Sequence, residues 1–345
     1  MSFFRSILVS GGAGFIGSNF IHYITAKHPE CRIAVLDALT YAGNLENLAG
    51  LIDTGRVEFV KGSVYDADAV ERSMKGCEAV FNFAAETHVD RSIQEAGTFI
   101  DTDVRGTYTM LRAAHEAGVA RFVQISTDEV YGSSAGDHFT EEAPLRPGNP
   151  YSASKCGGDL MCQAFFNTFR LPVVVTRSSN NFGPYQHVEK FIPLFITNTI
   201  EGKPLPLYGD GMHERDWLFV EDNCAAIELV GLKGNPGEVY NIAAGRSRPN
   251  LEVAELILDA LGAPKSRIVF IEDRKGHDRA YIMDGSKTGA LGWKPRGDFE
   301  KALRDTVEWY RKNEQWWRRV KSGAFREYYE KHYADRLKKG TTYDA

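Results

Sequence analysis

At 345 residues the chain is longer than one small core requires, and its 43% apolar and 25% charged content is that of an ordinary globular protein, so disorder is not expected away from the ends. The 41 Lys and Arg residues against 46 Asp and Glu leave a net charge of −5 with no long basic block, which argues against nucleic acid as a partner. No run approaches the ~18 apolar residues of a membrane span, the start lacks the pattern of a secretory leader, and the scattered Cys31, Cys77, Cys156, Cys162 and Cys224 fit reduced thiols, so a cytoplasmic protein away from membranes is expected.

Residues 6–11, "SILVSG", form a short apolar run, and "FIGSNFIHYITAKH" after them has helical spacing. The turn between is "GGAGFIG", with Gly11, Gly14 and Gly17 at three-residue intervals. Glycines there allow a tight turn and a close approach of pyrophosphate to the helix start. The next strand, "RIAVLD", ends at Asp37, where an acid can accept hydrogen bonds from an adenosine ribose and would repel a 2′-phosphate. A dinucleotide site for NAD rather than NADP is the expectation.

Strand patterns recur near 57–61, 78–83, 120–126 and 172–176, with helical stretches between them. This alternation predicts an α/β fold, a Rossmann-type doubly wound parallel sheet. Ligands then lie beyond the carboxyl ends of the strands, where "NFAAETHVDRS" and "STDEVYG" fall.

The stretch 126–155 holds a hydroxyl (Thr127), two adjacent carboxylates (Asp128, Glu129), a phenol (Tyr151) and an ammonium (Lys155). If "YSASKCGGDLMCQAFF" is a helix, opened by Pro150 in its first turn, Tyr151 and Lys155 project from one face. A nearby ammonium lowers a phenol's pKa, which makes Tyr151 a candidate base. Alone, a Tyr-x-x-x-Lys spacing reads more readily as a surface pair and an Asp-Glu pair as a solvated turn; their company gives them weight. Cys156 falls roughly 100° round the helix from that face and reads as an inert buried thiol. No metal site is expected.

Beyond residue 177 come loops rich in Pro, Gly and aromatics, then helices at roughly 187–201, 221–233, 250–262 and 298–320. The expected division is a domain of residues 1–177 that carries the cofactor and the reacting groups, and a smaller carboxyl-terminal lobe, 178–345, over the crevice, with some segments crossing back. The tail reads as an amphipathic helix closing over that lobe.

With these residues in view, the chain resembles the extended short-chain dehydrogenase/reductases, and within them the dTDP-glucose 4,6-dehydratase family. The motifs that carry the resemblance are "GGAGFIG", "LTYAGNLENL", "AAETHVDRSI", "STDEVYG", "YSASK", "RSSNNFGPYQHVEKFIP", "GDGMHERDWLFVEDN" and "RKGHDRAYIMD". It implies a lyase that oxidises the glucose C4 hydroxyl of a nucleotide sugar, eliminates water across C5 and C6 and returns the hydride to C6, using bound NAD. Tyr151, positioned by Lys155 and Thr127, would take the C4 hydroxyl proton; Glu129 would take the C5 proton and Asp128 would protonate the leaving hydroxyl.

By the same resemblance NAD would be held by the glycine turn and by Phe15, Ile16, Asp37, Ala38, Leu39, Thr40, Ser63, Val64, Ala84, Ala85, Thr102, Tyr151, Lys155 and Asn181. The nucleotide sugar would meet Thr87, Thr127, Asn180, Glu189, Lys190, Arg215, Asn250 and His277. Arg215 and His277 suit a diphosphate. The family also implies a homodimer paired through the 98–117 helix and the one opened by Tyr151. Ser63 stands where the family usually has an aspartate, and Ala280 follows Arg279 where it often has a second arginine. A nucleotide-sugar 4-epimerase, a UDP-glucose 4,6-dehydratase and a silent NAD-binding sensor are the alternatives; epimerisation has no use for the Asp128–Glu129 pair.

Overall fold

The computed structural model describes residues 2–134, 136, 138–273, 280, 282–322 and 324–343. Strands β1 (Ser6–Ser10), β2 (Arg32–Asp37), β3 (Val57–Lys61), β4 (Ala79–Asn82), β5 (Arg121–Thr127) and β6 (Val173–Ser178) come from residues up to 178. The second half supplies β7 (Asn180–Phe182), β8 (Leu205–Tyr208), β9 (Glu214–Phe219), β10 (Val239–Ile242), β11 (Ser247–Pro249), β12 (Ile268–Ile271) and β13 (Thr341–Thr342).

The central sheet is parallel throughout, with its seven strands in the order β10-β6-β5-β4-β1-β2-β3. Its strands read as continuous apolar runs because both faces are covered. Along β1, Ile7 and Val9 join the core under helices Phe15–Lys27 and Val220–Lys233. Leu8 points the other way, into the core under helices Ala67–Met74, Thr107–Ala117 and Pro150–Phe169. The strand order reverses between β1 and β4, and a crevice opens there at the carboxyl ends.

The rest of the second half packs around its own core, which includes Phe195, Trp217, Leu258, Tyr310 and Trp317. It carries two small sheets, β11-β9-β7 and β13-β12-β8. The tail forms the helix Ala324–Lys339, after which β13 pairs antiparallel with β12. Among the described residues no helix is long and apolar enough to cross a membrane.

Three helical expectations needed adjustment. The helix expected from 187 begins at Phe191, because Lys190 is extended (φ −78°, ψ 152°). The stretch 298–320 is two helices, Phe299–Lys312 and Glu314–Val320, divided at Asn313. Asn313 bonds the Trp309 carbonyl through its side chain at 2.8 Å, the local competition that makes asparagine a poor interior helix residue. Between 97 and 117 the helix widens to a π-turn at Ile100–Gly106. Cys156 is buried, as an inert thiol should be.

Candidate active site

Backbone meets backbone at the glycine turn. Gly11 takes φ +67°, and a Cβ there would stand 2.6 Å from the Ala84 nitrogen at the end of β4. At Gly17 it would stand 2.4 Å from the Gly11 carbonyl oxygen, so the first helix could not approach the turn. Asp37 accepts from the Ala13 N–H at 2.9 Å and the Leu39 N–H at 2.8 Å, which ties the end of β2 to this turn. Burial pushes its carboxyl up; these two bonds act the other way.

A cavity of about 390 Å³ runs from here across the strand ends. It is lined by Gly11, Gly14, Phe15, Ile16, Gly17, Asp37, Ala38, Thr40, Ser63, Val64, Ala84, Ala85, Thr102, Asn181, Tyr151 and Lys155. Leu39 is not in the lining; at φ +53° it serves Asp37 through its N–H. A turn with no room for a Cβ at Gly11 or Gly17 and the buried Asn181 Oδ1, which has no hydrogen-bond partner, fit a dinucleotide with its polar end inward.

Thr127, Asp128 and Glu129 follow from β5 into a 3₁₀ turn, Asp128–Tyr131, and all three line the same cavity. The Thr127 hydroxyl donates to Asp128 Oδ1 at 3.0 Å and accepts from the Glu129 N–H at 3.3 Å. Asp128 is buried, and burial first, then the Glu129 charge, push its carboxyl up to about 8 against the Thr127 hydrogen bond. Both causes favour its protonated form. Facing it, Tyr151 sits at the head of the helix Pro150–Phe169, which is closed by a capping box: Asn149 accepts from the Ser152 N–H at 2.9 Å, and Ser152 answers at 3.2 Å.

One expectation is reversed here. The Tyr151 phenol lies well above its ordinary value, because burial, then Glu129 and Asp103, outweigh the Thr127 hydrogen bond. The Lys155 ammonium donates to the Ile125 carbonyl at 2.8 Å. A charge partner was legible in the spacing; the enclosure and the surrounding carboxylates were not.

Asp103 and Glu86 went unnoticed in the sequence. Asp103 accepts from the Ser154 hydroxyl at 2.6 Å and is pushed up to about 6 by burial, opposed by Lys155. Glu86 is pushed up to about 7 by burial and next by Asp103. The available signal was the double glycine of "KCGGD" in the middle of a helix, where glycine is disfavoured. A Cβ on Gly158 would lie 2.8 Å from the Asp103 carbonyl oxygen, so the bare backbone is what brings the π-turn against this helix.

A second cavity, about 180 Å³, continues from the first. Thr87, Glu129, Asn180 and Lys190 line both, while Glu189, Arg215 and Asn250 line only the second. Lys190 donates to the Thr87 carbonyl at 2.5 Å, and Arg215 to the Glu214 carbonyl at 2.7 Å. The side-chain oxygens of Asn180 and Asn250 are buried without a hydrogen bond, as befits a wall that awaits a hydroxylated ligand. His277 and Arg279 lie outside the described residues; Ala280 bridges to Glu214. Ser63 accepts from the Tyr65 N–H at 3.4 Å while lining the larger cavity.

The profile of the family described as GDP-mannose 4,6 dehydratase matches residues 8–306. The chain belongs to that family. Within this dehydratase family it is 50% identical to the low-salt glycan biosynthesis protein Agl12 of Haloferax volcanii over 88% of this chain and 98% of the relative. It is 48% identical to the dTDP-glucose 4,6-dehydratase of an Actinoplanes species, over 90% of this chain and 99% of the relative. The crystal structure of DesIV, a dTDP-glucose 4,6-dehydratase from Streptomyces venezuelae solved with NAD bound, superposes with a TM-score of 0.89 at 48% identity, covering 91% of this chain and 99% of that one.

Proposed function

We propose that the chain is a dTDP-glucose 4,6-dehydratase, which converts dTDP-glucose to the 4-keto-6-deoxy sugar nucleotide and water. The observation that carries the reading is the adjacent Asp128 and Glu129 in the one cavity that Tyr151 and Lys155 also line. The relatives of that activity, similar over nine-tenths of the chain, support it.

The chain's residues divide the work. NAD, held by the glycine turn and Asp37, would supply a hydride acceptor for C4 that can return the hydride to C6. Tyr151 would take the C4 hydroxyl proton as its phenolate, a form that the Lys155 ammonium and the positive nicotinamide of bound NAD would favour against the burial that raises the phenol. The ketone so formed acidifies C5–H, which Glu129 removes, and Asp128 donates its proton to the departing C6 hydroxyl, which leaves as water. The proton on Glu129 then returns to C5. Two adjacent carboxyls in unlike environments suit this split between base and acid.

Glu189, Lys190, Thr87, Asn180 and Asn250 are read as sugar and nucleotide ligands, with Arg215 on the diphosphate. Residues 1–177 are read mainly as the cofactor domain and 178–345 as the substrate lobe. We read the protein as cytoplasmic and as a homodimer. Support for pairing is that five of the eight exposed large apolar side chains among the described residues (Ile93, Ile100, Tyr108, Leu160, Phe169) lie between residues 93 and 169, on the Val89–Gln94 helix, the π-turn and the Thr107–Ala117 and Pro150–Phe169 helices.

The deciding experiment incubates the purified protein with dTDP-glucose and follows the alkali-induced absorbance of a 4-keto sugar. Absence of product would remove the dehydratase reading.

A further inference from the structure

Glu189 is sealed from solvent in the wall of the smaller cavity, among its neighbours His187 and Lys190 and the distant His88 and Arg91. His88 Nε2 stands 3.9 Å and Arg91 Nη2 3.4 Å from Oε2, and His187 Nδ1 stands 3.6 Å from Oε1. Oε1 makes no hydrogen bond although it is buried. Burial alone would raise this carboxyl, but the groups around it hold it below its ordinary value. His88 is itself pushed down to about 4 by burial, so it is neutral at physiological pH. Of the positive groups around Glu189, the permanent charges are therefore Lys190, which bonds the Thr87 carbonyl, and Arg91.

Arg91 is held flat. Its guanidinium carbon lies 4.0 Å from the ring centre of Tyr41, on the loop after β2, and 5.0 Å from that of Tyr328, on the carboxyl-terminal helix. Tyr328 in turn stacks on His332 at 5.2 Å, and His332 bonds the Tyr208 hydroxyl at 2.7 Å. The tail helix is thus fastened to the cavity wall through an arginine that packs over a ring from each side of the contact, Tyr41 and Tyr328.

We infer that Arg91, packed over Tyr41 and Tyr328, is a positioning residue that orients the Glu189 carboxylate for the hexose hydroxyls, which makes the carboxyl-terminal helix part of the sugar site. The inference rests on Glu189 being a sugar ligand, as read above. A planar guanidinium can stack and direct an N–H at the carboxylate together; a lysine keeps the charge but loses the stack.

The test measures dissociation constants of dTDP-glucose and of dTDP, which lacks the hexose, for the full-length protein and for Arg91→Lys, Tyr328→Ala and Tyr328→Phe, each in the Tyr151→Phe background so that dTDP-glucose is not consumed. Losing one charge-assisted hydrogen bond weakens binding by roughly tenfold to a hundredfold. Arg91→Lys and Tyr328→Ala should weaken dTDP-glucose by that much and leave dTDP unchanged; Tyr328→Phe, which keeps the ring, should restore the values of that background. If Arg91→Lys does not fold, Tyr328→Ala carries the same test from the tail-helix side. Unchanged dTDP-glucose binding, or an equal loss for both ligands, overturns the inference. Because binding is read without turnover, a wild-type protein that binds dTDP-glucose but forms no product would count against the dehydratase reading alone.

Discussion

Glu129 reaches both cavities of the crevice, whereas its neighbour Asp128 lines only the larger one and is 3% exposed. Adjacent in sequence, they are chemically unlike. Asp128→Asn, which removes the proton donor, should slow elimination by roughly a hundredfold or more and leave cofactor reduction intact. Glu129→Gln should likewise let reduced cofactor accumulate, visible in its near-ultraviolet absorbance. A variant of either kind that eliminates at the wild-type rate would refute its assignment.

The pH profile follows from the same burial. Asp128 works as an acid and its carboxyl is raised to about 8, so turnover should fall on the alkaline side through that pH. The sign for stability is the same. A carboxyl raised in the folded state contributes its full stability below the ordinary carboxylate range and loses it as pH rises through the folded value. Melting curves above that pH should therefore favour Asp128→Asn over the wild type. A turnover profile that stays flat well into alkaline pH would contradict the protonated state.

Tyr151→Phe should abolish both hydride transfer and product, since no other hydroxyl on that helix face lines the cavity. A single turnover monitored for cofactor reduction checks this, and retained reduction would exclude the phenol as base.

Gly17→Ala places a methyl 2.4 Å from the Gly11 carbonyl oxygen. Forcing the helix off the turn should cost about 1–3 kcal/mol. A lowered Tm and faster loss of NAD on gel filtration are expected together.

For the dimer, Leu160→Arg puts a charge on an apolar side chain that is 54% exposed. Sedimentation should show the wild type paired and the variant shifted toward monomer, with the Tm little changed.

What was legible in the sequence was local. The glycine turn, Asp37, the "STDEVYG" strand end and the "YSASK" helix start each depend on residues a few positions apart, so spacing alone exposes them. Asp103 and Arg91 were missed for the opposite reason: one reaches the site through a glycine notch in a neighbouring helix, the other through rings from the loop after β2 and the tail. The direction of the Tyr151 shift was misread because enclosure is a property of the assembled fold, and no pattern along the chain reports it.

The strand β10 flanks β6 at one margin of the central sheet, although it is encoded some sixty residues later. Until a ribosome has delivered residue 242, β6 presents a bare, sticky row of amides and carbonyls. Synthesis from the amino terminus therefore cannot complete the nucleotide half first and add the rest afterwards. A message cut short after β6 would release an aggregating fragment in place of a small working cofactor binder.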